Sequence, residues 1–187
     1  MYVHRFFDNE KERRKWQNPE AILADVGVKR GFIIVDVGCG TGFFALPAAR
    51  LVGDEGRVYG LDADSEAINR LKERATKEKL RNLILKVGIA EQTVLCDSCA
   101  DIAFFGIVLH DFEDTSKVLS NAKKMLKSTG RLIDLDWKKK PMQLGPPLRI
   151  RFNEKEASNL IEKAGFSVSE LKEEGLYHYM IVATPKS

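Results

Sequence analysis

Three observations predict an α/β fold built on a mostly parallel sheet. β-branched apolar runs alternate with amphipathic stretches through most of the chain, a cluster of glycines stands directly after the first such run, and the last two runs are separated only by a turn. Strands alternating with helices imply βαβ units, with helices on the faces of a parallel sheet. A two-residue connection is too short for a crossover, so the sheet must finish with an antiparallel hairpin.

The elements follow in order. Asn18-Pro19-Glu20 places a cap before a proline at the first helical position and Gly27 marks the stop, so a helix is predicted over 19–26. Residues 32–37 are apolar almost throughout, as in a strand buried on both faces, and glycines close it. A helix over 43–52 and a strand over 57–61 come next, then an amphipathic helix over 65–79 with Ile68, Leu71 and Ala75 on one face. Strands over 82–87 and 101–108, a helix over 115–127 and a fifth core strand over 130–135 continue the alternation. Asn153 caps a helix reaching about Ala164, and strands over 166–173 and 176–184, joined by Glu174-Gly175, form the hairpin.

The 187 residues suit a single domain over 1–187, and no repeat or low-complexity linker divides it. A charge of +3, with 30% charged and 44% hydrophobic residues, excludes disordered and fibrous classes, and a phosphate-binding surface would normally carry a larger, clustered basic excess. The mild charge argues little either way by itself; the expectation of no nucleic-acid partner rests on motifs that the chain lacks. The longest apolar run, 102–109, is far below the roughly 20 residues of a membrane span, and the first residues lack a signal core. Three cysteines, Cys39, Cys96 and Cys99, are too few and odd in number for a disulfide framework, which points to a reducing cytoplasm.

The sharpest signal is Asp36-Val37-Gly38-Cys39-Gly40-Thr41-Gly42, lying between a strand and a helix. Glycines there let the backbone turn tightly and approach a ligand, while the following helix offers free N–H groups and a positive dipole end. The next strand ends at Asp62, where a carboxylate can accept from both hydroxyls of a ribose. Two nucleotide cofactors suit such a loop. A dinucleotide fingerprint reads G-x-G-x-x-G; this loop reads G-x-G-x-G after an acidic residue, and the sheet ends in a hairpin, which disfavours a nicotinamide-dependent oxidoreductase.

On these residues the chain resembles the class I S-adenosylmethionine-dependent methyltransferases. Residues 35–42 match that family's first motif, Val58-Tyr59-Gly60-Leu61-Asp62 its second, Val87-Gly88-Ile89-Ala90-Glu91 its third, and 101–110 its fourth. The resemblance covers nearly the whole chain and is strongest to the methyltransferase type 11 group, which includes quinone C-methyltransferases and arsenite methyltransferases. It implies a Rossmann-like three-layer sandwich whose seven strands run 3-2-1-4-5-7-6, and S-adenosylmethionine as cofactor with S-adenosylhomocysteine as product. It also implies residue roles. The backbone of Gly38, Gly40 and Gly42 passes under the methionine portion, Asp62 takes the ribose hydroxyls, and Ala63 packs on the adenine, with Ile89 and Ala90 at its other edge. The Phe105 and Gly106 backbone faces the methionine ammonium, which Asp36 helps to order. Ile89 departs from the family pattern, which commonly has Asp there to accept from the adenine amino group.

Ligands of open α/β sheets sit outside the C-terminal ends of the parallel strands. That edge gathers the glycine loop, Asp62, Ile89, the 105–110 segment and Trp137, with Tyr177 entering from the antiparallel strand. The 137–151 loop is expected to overhang it, and residues 1–17, with Phe6, Phe7 and Trp16, to act as a lid. Phe7, Trp137 and Tyr177 are the candidate substrate contacts. Methyl transfer needs orientation, exclusion of water and at most one base. His110, just past the fourth strand, is the candidate catalytic base, the competing reading being a histidine that caps the next turn beside Asp111. His4 and His178 rank lower. Cys96-x-x-Cys99 has no second pair or histidine cluster, so no metal is expected. The chain lacks an Asn/Asp-Pro-Pro-aromatic motif after the fourth strand and a Pro-Cys nucleophile, which favours a small-molecule acceptor over a nucleic-acid base. A catalytically silent cofactor-binding or scaffold protein is the competing class.

Overall fold

The computed structural model describes residues 10–186. Phe6, Phe7 and His4 lie outside them. The elements in chain order are α1 (Glu10–Arg13), α2 (Pro19–Asp25), β1 (Ile33–Val37), α3 (Ala45–Val52), β2 (Arg57–Asp62), α4 (Ser65–Lys77), β3 (Leu83–Val87), β4 (Ala100–Gly106), α5 (Thr115–Met125), β5 (Leu126–Trp137), α6 (Glu154–Lys163), β6 (Phe166–Glu174) and β7 (His178–Pro185). Single 3₁₀ turns at Ala90–Gln92 and Leu109–Asp111 follow β3 and β4.

One seven-stranded sheet runs in the order β3-β2-β1-β4-β5-β7-β6. The first four pairings along it are parallel; β7 lies antiparallel to both β5 and β6. This is the topology that the resemblance implied. Side-chain alternation divides the core in two. Ile34 and Phe104 join Leu46, Ile68 and Leu71 on one face, and Val35, Val37 and Phe105 join Leu119, Met125 and Ile161 on the other.

Local chemistry sets the helix starts. Asn18, Asp64 and Asp114 each accept a backbone N–H of their own first turn. Asn153 forms a full capping box, accepting from Glu156 N–H while the Glu156 carboxylate accepts from Asn153 N–H.

Several boundaries differ from the sequence-based reading. The helix after the glycine loop begins at Ala45, since Phe43 and Phe44 complete the loop. Helix α5 stops at Met125 because Leu126 already pairs with Ala100; a register shift then carries the pairing from Ala100–Leu126 to Ile102–Arg131, so β5 gains an irregular start ahead of Gly130. β7 begins at His178 because 175–177 are used by the turn. The cysteine reading is corrected: Cys96 and Cys99 are joined by a disulfide, so the cysteine count carries no argument about compartment. Among the described residues no helix is long and apolar enough to cross a membrane.

Part of the predicted lid is ordered against the body. The Trp16 ring stacks on His178 at 5.5 Å between centroids and lies 5.6 Å from Trp137. Glu10 accepts from Arg74 of α4 at 2.6 Å and from Arg14 at 3.0 Å.

The α6 capping box supplies a direct check on this local account. Asn153→Ala removes one acceptor from the first turn and is expected to lower stability by about 1 kcal/mol, read as a reduced denaturation midpoint at unchanged m-value.

Candidate active site

The glycine loop leaves β1 at Val37 and folds back over the end of β2. Gly38 N–H and Cys39 N–H both donate to Leu61 O, at 2.7 and 3.0 Å. Gly40 N–H donates to Asp62 Oδ2 at 2.7 Å, and Asp64 N–H to Asp62 Oδ1 at 2.9 Å. From the outside, Arg74 donates to Thr41 O at 2.9 Å. The Asp62 carboxylate is thereby fixed by one backbone bond on each oxygen, and both oxygens keep further acceptor capacity.

The loop glycines serve different ends. Gly40, at φ 52°, has open space where a Cβ would stand, so its backbone can meet a ligand. Gly42, at φ 93°, has none: a Cβ there would overlap Leu71 and crowd Leu46. It is a packing position, and it does not line the cleft.

A cleft of about 690 Å³ opens along the C-terminal edge of the parallel strands, within the roughly 300–1,000 Å³ typical of small-molecule sites. At one end stand Asp62, Ala63, Gly88, Ile89 and Ala90; along its floor lie Gly38, Gly40 and Gly106; Arg13, Asp36, Phe43 and Phe44 also line it. Ile107, Val108, Asp111 and Phe112 form another part of the wall. Ile107 holds φ 66°, a left-handed conformation that is costly for a β-branched residue, while its N–H donates to Leu135 O at 2.7 Å.

The electrostatics are uneven. Asp36 is buried, and its Oδ2 has no hydrogen-bond partner among the described residues. Burial, then the nearby Asp62 carboxylate, push its pKa up to about 7 against the opposing pull of Arg13. Arg13 is buried too; desolvation lowers its pKa to about 9, opposed by Asp36 and Glu10, and leaves it cationic at neutral pH. Burial, followed by the Asp36 and Asp62 charges, pushes the Cys39 thiol well up, so it is an inert packing group.

His110 belongs to a second, enclosed cluster. Its Nδ1 lies 2.7 Å from Asp136 Oδ1, and its Nε2 lies 3.4 Å from Asp111 Oδ1, an ion-pair contact without hydrogen-bond geometry. Desolvation opposes the charged imidazolium, but the Asp136 and Asp111 carboxylates outweigh it and raise the pKa above the usual value, with Arg151 opposing. The ring itself does not line the cleft; its neighbour Asp111 does.

Of the predicted site residues, Asp36, Gly38, Gly40, Asp62, Ala63, Ile89, Ala90 and Gly106 come together on one cleft. Gly42, Phe105, His110, Trp137 and Tyr177 do not line it. Phe105 points into the opposite core face, since it precedes Gly106 on the same strand. Trp137 and Tyr177 pack around Trp16 and His178, where burial and the nearby Arg13, Lys138 and Arg151 cations hold His178 neutral, with a pKa of about 3. The 137–151 loop folds on itself instead of covering the cleft, because Arg151 donates to the carbonyls of Pro146, Lys138, Lys140 and Leu144. Sequence reasoning missed Arg13, Phe43, Phe44 and Phe112, and it placed Ile107 on the edge only as part of the 105–110 segment. Arg13 sits in Lys11-Glu12-Arg13-Arg14-Lys15, which reads as a solvated face, and Ile107 has no sequence mark of its backbone conformation. Among the described residues no group of three or more His, Cys, Asp or Glu is placed to hold a metal.

Residues 29–174 match the family model described as a methyltransferase domain. The chain belongs to this methyltransferase family. A crystal structure of a SAM-dependent methyltransferase from Aquifex aeolicus is 30% identical, superposes with a TM-score of 0.89 and shares 93% coverage of each chain. A Saccharolobus solfataricus protein named "Probable cobalt-precorrin-6B C(15)-methyltransferase (decarboxylating)" is 30% identical over 67% of this chain and 63% of its own length. A demethylmenaquinone methyltransferase of Listeria monocytogenes is 30% identical over 65% of this chain and 51% of its own. The methyltransferase domain thus spans about half to just under two thirds of these curated relatives.

Two substitutions check the site's construction. Gly42→Ala forces a Cβ into Leu71 at a left-handed φ and is expected to cost at least about 2 kcal/mol, seen as a lower denaturation midpoint; an unchanged midpoint would contradict the packing role. Asp36→Asn tests the buried carboxyl. The folded pKa of about 7 stands above the 3.8 of an unperturbed aspartate, so the group's contribution is full below about 4 and is lost as pH rises through about 7. The melting temperature of Asp36→Asn, compared with that of the wild type, should therefore improve between pH 5 and pH 8.

Proposed function

We propose that this methyltransferase domain binds S-adenosylmethionine in the cleft and transfers its methyl group to a small-molecule acceptor. The observation that carries the proposal is the Asp62 carboxylate, fixed by Gly40 and Asp64 N–H groups at one end of a cleft whose other lining includes a buried Asp36 oxygen lacking a partner. A fixed carboxylate suits a pair of vicinal hydroxyls, and a buried anion suits an ammonium; the cofactor carries both groups.

In this reading Gly38 and Gly40 lie beneath the methionine portion, Asp62 holds the ribose, and Ala63, Ile89 and Ala90 flank the adenine. Asp36 and the Gly106 backbone meet the ammonium. Gly42 and Phe105 act one step removed, by packing the loop and the end of β4. When bound, the cofactor supplies a methyl group made electrophilic by its sulfonium. The chain's part is to orient the acceptor, exclude water and accept any proton released.

That last task falls to Asp111, which faces the cleft between Val108 and Phe112; His110 stands behind it as a positioning group, held by Asp136. The His110 ring does not line the cleft, so it has no direct reach to an acceptor bound there. The apolar wall of Ile107, Val108 and Phe112 supports an uncharged or weakly polar acceptor of modest size. The relatives' names, a cobalt-precorrin and a demethylated menaquinone, put ring-containing acceptors first in a screen. Segment 1–9, with Phe7, is proposed to complete the acceptor side, while Trp137 and Tyr177 anchor Trp16.

Calorimetry tests the reading: S-adenosylmethionine is expected to bind with micromolar affinity and NAD not to bind. Asp62→Ala should weaken cofactor binding by about 1–3 kcal/mol. No binding by the folded wild type, or an unchanged affinity in the variant, would contradict the assignment.

A further inference from the structure

Resting on that cofactor reading, we propose that the Cys96–Cys99 pair is a thiol–disulfide switch on the cleft: the disulfide holds the Ala90–Gln92 wall in place, and its reduction loosens that wall and weakens cofactor binding.

The disulfide closes a ring over residues 96–99, which ends one residue before β4. Within the ring Ser98 stands at φ 48°, a left-handed conformation that disfavours a residue with a side chain. Covalent closure and bonds to α5 hold it there. Ser98 N–H donates to Lys124 O at 2.9 Å and Cys99 N–H to Met125 O at 3.0 Å, while Leu95 N–H donates to Met125 Sδ at 3.2 Å. The last carbonyls of a helix have no partner within it, so the ring is the cap of α5.

The other end of the link is the cleft wall. Asn121, one turn before the capped carbonyls, is buried, and its Nδ2 donates to Ala90 O and Glu91 O, both at 3.0 Å. Ala90 and Glu91 line the cleft. Lys124 joins the two sets of bonds, since its carbonyl accepts from Ser98 and its Nζ donates to Asn121 Oδ1 at 3.4 Å. The backbone offers a second connection, because only residues 93–95 separate the wall from Cys96. Ring and wall are thus tied both along the chain and through the end of α5.

The pair is placed to be reduced. Cys96 and Cys99 are half-buried, so a small dithiol reaches them, whereas Cys39, the third cysteine of the chain, is buried and inert. The ring lies at the C-terminal, negative end of α5, opposite to the helix N-termini that activate thiolates in disulfide-exchange catalysts. That setting suits a two-state clasp. In the reduction an external dithiol supplies two electrons and two protons and closes to its own disulfide, while the Cys96–Cys99 S–S bond breaks and two S–H groups form. Without the closure Ser98 leaves its left-handed conformation, and the N–H groups that cap α5 go with it.

The test is calorimetry with S-adenosylhomocysteine on the full chain, first oxidised in air and then reduced with excess dithiothreitol, the two states being checked by counting reactive thiols. Reduction is expected to release two thiols and to weaken binding about five- to tenfold. Protein carrying Cys96→Ser and Cys99→Ser together should bind like the reduced wild type, with or without dithiothreitol. Amide hydrogen exchange of the wild type needs neither a variant nor a ligand: on reduction the amides of 90–92 and 96–99 should exchange at least about threefold faster, with those of β1 unchanged. Equal affinity in the two states, or a thiol count that dithiothreitol does not change, overturns the switch and leaves the cofactor reading intact. Faster exchange over the whole chain would mean a general staple, and unchanged exchange at 90–92 a ring without reach to the cleft; both overturn it. Binding of S-adenosylhomocysteine in neither state overturns the cofactor reading and the switch with it.

Discussion

The Asp62 carboxylate connects the end of β2 to the glycine loop after β1, and the cleft takes its form from that connection. Two adjacent parallel strands end side by side, and the chain leaving one must turn sharply to reach its helix without covering the other. Gly38 and Cys39 N–H groups donate to Leu61 O, and Gly40 N–H donates to Asp62 itself, so the loop is folded back onto the strand it neighbours. Left-handed dihedrals at Gly38, Gly40 and Gly42 make this possible, and Leu71 of α4 fills the space that a side chain at Gly42 would need. A carboxylate held on both oxygens is pre-organised, so little ordering remains to be done when a ligand arrives.

Around that frame the molecule keeps two groups of buried charge apart on the two faces of the sheet. Asp36 and Arg13 lie on the cleft and oppose each other's neutralisation. Asp134, Asp136 and His110 lie toward the α5 and α6 side; burial, then Asp136, hold Asp134 well above the usual carboxylate range, and Asp136 binds the imidazole. Alternation along β5 explains the separation, because Asp134 and Asp136 share one face while Leu135 and Trp137 share the other. Asp111, on the turn after β4, is where the second group touches the cleft. The strained Ile107 just before that turn re-aims the chain so that Val108 and Asp111 face inward.

The fold, and the residues that gather on the cleft, were largely legible in the amino-acid order. Strand runs, caps at Asn18 and Asn153, the glycine loop and Asp62 are local signals, and local signals survive folding because each is satisfied by near neighbours. The part of the site proposed for the acceptor was not legible in the same way. His110 has the side-chain chemistry of a base, but whether a ring points into a cleft or behind it depends on packing against β5, which no spacing reports. Trp137 and Tyr177 looked like rim aromatics, yet they are occupied by Trp16 and His178. Lys138 to Arg151 read as an overhang because its glycine and prolines suggest a loop, and only the four carbonyls gathered by Arg151 show that it closes on itself. Arg13 was hidden in a run of charges, and its burial over Phe43 is a tertiary fact.

The central claim is that the ligand is held where Asp62 fixes the glycine loop. Titration of isotope-labelled protein with S-adenosylhomocysteine, followed by backbone amide chemical shifts, tests it most directly. The account predicts that the largest shifts fall on Gly38, Gly40, Asp62, Ile89 and Gly106, with the amides of 138–151 nearly unmoved. Shifts centred on the 138–151 loop, or no saturable shifts in the glycine loop, would contradict it.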